Sequence, residues 1–140
     1  AVLLDELLEG ITVGDIMTRD PARIAASTTI DEFGSQMLRD RKPVHLVVDA
    51  DGTPVGVVTL DDLKKARRGD RQTTTVGDIV RDVPRVDPSA DAFDTLVELQ
   101  GAGGIDAIVQ RDGDILGVLS EADYAHAMTI QRGFRSTVSG

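Results

Sequence analysis

Hydrophobic residues fall along this chain as a helical stripe followed by two short β-branched runs, and the sequence passes through that series twice. From Ile30 to Arg41 the apolar residues Ile30, Phe33, Met37 and Leu38 return at helical spacing, and Phe93, Leu96, Val97 and Leu99 do the same later. Both stretches read as core-facing helices. Each leads into a pair of Val- and Ile-rich runs, His45–Asp49 with Pro54–Leu60 and Ala107–Gln110 with Ile115–Ser120. The pairs are joined through Asp51-Gly52 and Asp112-Gly113, and Asp-Gly tolerates the positive φ of a hairpin turn. A helix closes each series, from about Leu60 to Arg67 and from Glu121 to Met128. Short amphipathic turns at Val13–Met17 and Val76–Val80 open them, and the prolines beyond them, Pro21 and Pro84, keep these turns from running on as helices.

The series is a repeat in sequence as well as in pattern. Thr12-Val13-Gly14-Asp15-Ile16 recurs 63 residues later as Thr75-Val76-Gly77-Asp78-Ile79. Gly56-Val57-Val58-Thr59 with Asp62 recurs 61 residues later as Gly117-Val118-Leu119-Ser120 with Asp123. Between these anchors Phe33 answers Phe93. The organisation is a lead-in over 1–11, a first repeat over 12–68, a linker over 69–74, a second repeat over 75–129 and a tail over 130–140, with Arg68-Gly69-Asp70-Arg71-Gln72 as the polar stretch between copies. One small sheet with helices on it cannot cover both its faces. Two copies are therefore expected to pack through their sheets with internal pseudo-twofold symmetry, leaving clefts at the seam where a ligand can lodge.

Composition removes several classes of function. No cysteine is present, which excludes disulfides, thiolate zinc sites and cysteine nucleophiles. His45 and His126 are the two histidines, one in a strand and one on the last helix, without metal-ligand spacing, and they read as structural or surface residues. Asp61 and Asp62 are adjacent, but neighbours on a helix diverge and rarely converge on one ion. No metal and no required cofactor is expected. A net charge of −9 opposes the phosphate neutralisation that drives nucleic-acid binding. No apolar run approaches the roughly 18 residues that cross a bilayer, and Asp5, Glu6 and Glu9 near the start do not suit a signal peptide. A soluble, cytoplasmic segment with no membrane insertion of its own is expected. Aspartate exceeds glutamate and lysine is confined to Lys42, Lys64 and Lys65, as in proteins of salt-adapted microbes. Folding should then weaken at low salt.

A duplicated unit of about 60 residues that opens with Val13-Gly14-Asp15-Ile16-Met17 and closes with Gly56-Val57-Val58-Thr59 and Asp62 resembles the CBS domain, over essentially Thr12 to Met128. The resemblance implies an α/β (α+β) fold of two β-α-β-β-α repeats, dimerisation of such pairs, and AMP, ADP, ATP or S-adenosylmethionine bound in inter-repeat clefts. It implies a regulatory module rather than an enzyme, in which ligand occupancy shifts the two repeats and so controls an attached or partner effector. In that family the Thr/Ser-x-x-Asp at the end of the hairpin carries ligand recognition, here Thr59 with Asp62 and Ser120 with Asp123. The chemistry suits the role: a hydroxyl at a helix N-terminus sits beside free amide donors and the positive end of the helix dipole, and a carboxylate three residues on can accept from both hydroxyls of a ribose. Ile24, Ala25, Leu46, Val47, Val58, Val86, Ala107 and Ile108 are the wall positions for an adenine. Arg19 and Arg23, with Arg81 and Arg85 at matching places, are the basic candidates, and each reads more readily as a solvated surface charge. Leu46 and Ala107 stand where the family commonly has a proline, and Asp106 puts a negative charge near the second cleft, so Thr59 and Asp62 are the preferred pair.

Thr-x-x-Asp is also close to a capping box that closes a helix N-terminus with no ligand. A structural dimerisation or interaction module with empty clefts is the alternative reading. The leucine-rich lead-in Val2–Leu8 running into Gly10–Asp15, together with the tail Met128–Gly140, is similar to the cytosolic C-terminal CBS pairs of site-2-protease-type membrane metallopeptidases. That similarity implies a parent chain carrying the catalytic zinc and the membrane helices.

Overall fold

In chain order the computed structural model runs α1 (Leu4–Leu7), α2 (Val13–Ile16), β1 (Thr18–Arg19), β2 (Ala22–Ala25), α3 (Ile30–Asp40), β3 (Val44–Val48), β4 (Pro54–Thr59) and α4 (Leu60–Ala66). It continues with α5 (Val76–Ile79), β5 (Arg85–Val86), α6 (Ala92–Gly101), β6 (Ala107–Arg111), β7 (Asp114–Leu119) and α7 (Glu121–Ser139). The structure describes residues 3–66 and 72–139. Most of the expected linker, Arg68 to Arg71, lies outside the described residues, as do Val2, Arg67 and Gly140. The fold is mixed α/β with two small sheets.

Side-chain caps start the helices where the sequence places them. Thr12 exchanges hydrogen bonds with Asp15, and Thr29 does the same with Glu32, each satisfying amides that the first turn leaves open. Asp91 accepts from the Asp94 amide at 2.9 Å. The two hairpins differ. Asp112 and Gly113 take φ of 53° and 84°, so β6 and β7 are joined by a tight two-residue turn. Between β3 and β4 the loop spans 49–53, with the Asp49 carboxylate accepting from the amides of Asp51 and Thr53 at 2.9 Å each.

The chain divides into two compact units, Asp20–Val83 and Ala1–Arg19 with Pro84–Gly140. In the Asp20–Val83 unit the sheet order is β2-β3-β4, with β2 and β3 parallel and β3 and β4 antiparallel. One face of this sheet carries Ile24, Val47 and Val58, clustered with Ile30, Phe33 and Leu63 of the helices and with Val76 of α5. The Val76 and Gly77 amides donate to the Thr28 and Ala26 carbonyls at 2.8 Å each, and Arg81 bridges to Val57. His45 is fully buried in this unit, its Nε2 2.9 Å from Asp40 Oδ2 and its ring edge-on to Phe33 at 5.3 Å. The bond from His45 holds the Asp40 carboxyl below its usual range.

The other unit repeats the plan with the sheet order β1-β7-β6-β5. Leu8, Val13, Leu96, Leu99, Val109 and Tyr124 form the centre of its core. The Tyr124 hydroxyl donates to the Ala92 carbonyl at 2.8 Å, and burial pushes its pKa up to about 12. Here the Val13 and Gly14 amides donate to the carbonyls of Ala90 and Pro88 at 2.9 and 2.8 Å. The opening turn of each sequence repeat is thus folded into the unit built from the strands and longer helices of the other repeat.

Three expectations change. Leu38 and Val97 do not face the core: they are 80% and 53% exposed, because each stands one residue behind or ahead of the buried stripe and a single step turns a side chain by about 100°. Phe33 and Phe93 are not equivalent, since the caps Thr29 and Asp91 align Phe33 with Thr95, both buried, while Phe93 is half-buried. The last helix does not end at Met128 but runs to Ser139. Its extension is held to α1, with Gln131 donating to the Leu7 carbonyl at 3.2 Å and Arg135 to the Glu6 carbonyl at 2.6 Å.

Candidate functional site

Both Thr/Ser-x-x-Asp motifs sit at a strand-to-helix turn, where Thr59 ends β4 ahead of α4 and Ser120 separates β7 from α7. The carboxylate three residues on folds back over the turn. Asp62 Oδ2 accepts from the Thr59 amide at 2.8 Å and the Thr59 hydroxyl at 3.0 Å. Asp123 Oδ2 accepts from the Ser120 amide at 2.9 Å and the Ser120 hydroxyl at 3.2 Å. At the first turn the Asp62 amide donates back to the Thr59 hydroxyl at 3.4 Å and completes a capping box; at the second the carboxylate supplies its half of one.

What faces the remaining carboxylate oxygen differs. Arg81 Nε lies 2.9 Å from Asp62 Oδ1 and 3.1 Å from Oδ2, a charge-assisted contact to a carboxylate that is itself 8% exposed. Asp123 Oδ1 instead accepts from the Thr18 hydroxyl at 2.7 Å. Burial raises the Asp123 pKa, opposed by the hydrogen bonds from Thr18 and Ser120. Asp61, beside Asp62 in sequence, is exposed.

The glycine that opens each motif brings these partners in. A Cβ on Gly117 would overlap the Thr18 carbonyl oxygen, and a Cβ on Gly56 would overlap that of Arg81. Only a residue without a side chain lets the segment carrying Thr18 or Arg81 lie this close to the strand. Gly, Thr/Ser and Asp thus form one device, which respectively admits a docking segment, caps the helix and presents a carboxylate.

In the unit containing Asp123, a cavity of about 540 Å³ opens between α2 and α7. Asp15, Met17, Thr18, Asp123, His126 and Gln131 line it, with Ile11 and Ile130 at its apolar edges. His126 is exposed. The expected wall positions separate by sheet face. Ile24, Val47 and Val58 lie in the helix-packed core of one unit, and Ala107, with Val86 against it, in that of the other. Leu46 and Ile108 are buried too, but they pair with Val57 and Val118 on the opposite sheet faces. Ala25 and Arg23 are exposed, Arg19 donates to the Gly14 carbonyl at 3.3 Å, and Arg85 donates to Gln110 at 3.0 Å. Asp106 is half-buried immediately before β6. Sequence reasoning missed Thr18 and Arg81 as partners of the two carboxylates. Their 63-residue spacing, that of the opening motif, marks the two as repeat counterparts, but it does not say which carboxylate each one meets.

The model of the CBS domain matches residues 13–69 and again residues 76–130. This chain belongs to the CBS domain family. It is a regulatory rather than a catalytic module, as CBS pairs are. It is 27% identical over 132 residues to Rip3 of Mycobacterium tuberculosis, which its name places among the zinc metalloproteases; the match covers 91% of this chain and 34% of that protein. The chain thus spans about a third of the length of the curated relatives it matches. Among solved structures, CBSX2 in complex with AMP is 25% identical with a TM-score of 0.69, covering 88% of this chain and 99% of that one. The CBS domain of a bacterial CNNM/CorC family Mg2+ transporter in complex with ATP shares the fold at 23% identity and a TM-score of 0.73, covering 87% and 89%. No helix among the described residues is long and apolar enough to cross a membrane.

Proposed function

We propose that this CBS pair binds an adenosine-type nucleotide, of the AMP, ATP or S-adenosylmethionine class, and thereby controls an effector attached to it or partnered with it. The observation that carries the reading is Asp123, a partly buried carboxylate on the wall of a cavity of about 540 Å³, with one oxygen engaged by a neutral hydroxyl. A ribose diol can take over or share that oxygen, and the apolar residues Ile11, Ile16, Met17 and Ile130 of the cavity suit a base or sugar face. AMP in CBSX2 supports the ligand class. Asp123 is preferred over the sequence-favoured Asp62, because Asp62 already holds a guanidinium. Two-thirds of Rip3 lies outside the match, which supports a protease effector in a parent chain, and in that reading the module sits on the cytosolic side.

A thermal-shift panel of AMP, ADP, ATP, S-adenosylmethionine and NAD at high salt tests this. A ligand that binds only the folded form adds about 2.7 kcal/mol at a hundredfold excess over its Kd. Binding that survives Asp62→Ala and Asp123→Ala together refutes the ribose contacts. The second reading, a ligand-free dimerisation module, is favoured by both carboxylates already accepting hydrogen bonds from their own turns. It predicts no shift with any ligand and a stable dimer by light scattering.

A further inference from the structure

The two strand-to-helix carboxylates hold equivalent places in their units, yet the residues facing them do not match. Val57 pairs with Arg81 as Val118 pairs with Thr18, so Arg81 is the repeat counterpart of Thr18. A hydroxyl thus stands at one carboxylate and a guanidinium at the other. We propose that this one difference splits the pair into a ligand position at Asp123 and a closed position at Asp62, with Arg81 as the residue that closes it, so that each chain takes one adenosine-type ligand. The inference rests on the nucleotide-binding reading above.

The exchange chemistry decides between the two positions. Replacing the Thr18 hydroxyl on Asp123 Oδ1 by a ribose hydroxyl trades one neutral O–H donor for another. At Asp62, Arg81 Nε contacts both oxygens at 2.9 and 3.1 Å, while the Thr59 amide and hydroxyl also donate to Oδ2. A ribose there has to displace a charge-assisted contact, roughly twice as strong as a neutral one, and leaves the guanidinium without its carboxylate. The Arg81 backbone is tied to Val57 by hydrogen bonds in both directions, at 3.0 and 3.1 Å, which holds its side chain at this carboxylate.

Calorimetric titration with AMP, ATP and S-adenosylmethionine of the wild type, Asp62→Asn, Asp123→Asn, Arg81→Thr and the Arg81→Thr/Asp123→Asn double variant tests the inference. One ligand per chain is expected in the wild type, lost in Asp123→Asn and kept with a Kd within about threefold in Asp62→Asn. Arg81→Thr, which installs the residue type of the other repeat, should raise the stoichiometry to two, and the double variant should bind one. Two ligands per wild-type chain, or loss in Asp62→Asn with retention in Asp123→Asn, overturns the inference and leaves nucleotide binding standing. No binding in any of the five proteins overturns both. Should Arg81→Thr fail to fold by circular dichroism, the two Asn variants still decide the matter.

Discussion

Replacing Gly117 by alanine should destabilise the protein through one backbone contact. The added methyl would overlap the Thr18 carbonyl oxygen and come within 3.3 Å of Met17 Sδ. The oxygen belongs to backbone, so relief requires β1 to move off β7 by roughly 1 Å, enough to forfeit a large part of the contact energy. β1 has two residues, paired as Thr18 with Val118 and Arg19 with Gly117, and has little else with which to resist. Losing that pairing and the 2.7 Å bond from Thr18 to Asp123 removes hydrogen bonds worth about 1 kcal/mol each, roughly 3 kcal/mol in all. The alanine returns about 0.4–1 kcal/mol by restricting the unfolded chain. A net loss of about 2 kcal/mol is expected, or a fall in Tm of roughly 4–8 °C for a chain of this size. Gly34 in α3 has open space around its would-be Cβ, so Gly34→Ala should instead stabilise by about 0.5–1 kcal/mol. Scanning calorimetry of the two variants beside the wild type reads both signs. A Gly117→Ala protein melting with the wild type, or a Gly34→Ala protein equally damaged, refutes the close-approach argument.

Leu8→Ala should cost about 2–5 kcal/mol in urea unfolding, since Leu8 is fully buried in a core shared with Tyr124; a change below about 1 kcal/mol would show that the lead-in is not part of that core. Tyr124→Phe removes the buried bond to the Ala92 carbonyl and should cost about 1–2 kcal/mol, read from the same unfolding curves. Because burial raises the Asp123 pKa, the folded state holds its proton more tightly than the unfolded state. The Asp123 contribution to stability therefore declines as pH rises from the unfolded value through the folded one, and the wild type should lose stability relative to Asp123→Asn across that window in pH-dependent unfolding. With a net charge of −9, Tm should climb between roughly 0.05 M and 1 M KCl as carboxylate repulsion is screened, and a Tm indifferent to salt counts against salt adaptation.

The hairpins, the two long helices and the strand-to-helix motifs were legible because each is specified locally, by β-branched runs, by Asp-Gly, by the helical spacing of apolar residues and by Thr/Ser-x-x-Asp. Leu38 was misread because four apolar residues in a window suggest one face, while only Ile30, Phe33 and Met37 share the inward stripe. The pairing of Asp62 with Arg81 was out of reach of local pattern, since the two are 19 residues apart and are brought together by Gly56 admitting the Arg81 backbone. The destination of the opening turns was likewise hidden. A repeat in sequence states that two segments share a conformation, and it is silent on which neighbour each one packs against.

That crossed arrangement of opening turns governs how the molecule can be dissected. A fragment stopped at Ala66 would contain the three strands of one sheet yet forgo Val76 from its core and Arg81 from its buried carboxylate. One begun at Gln72 would lack Leu8, Val13 and the edge strand of the other sheet. Severing the chain between its copies therefore yields two incomplete pieces rather than two half-proteins. Autonomous halves require re-wiring, with the lead-in and opening turn through Arg19 joined to the stretch from Pro84 onward, and 75–83 kept with the strands and helices of 20–66.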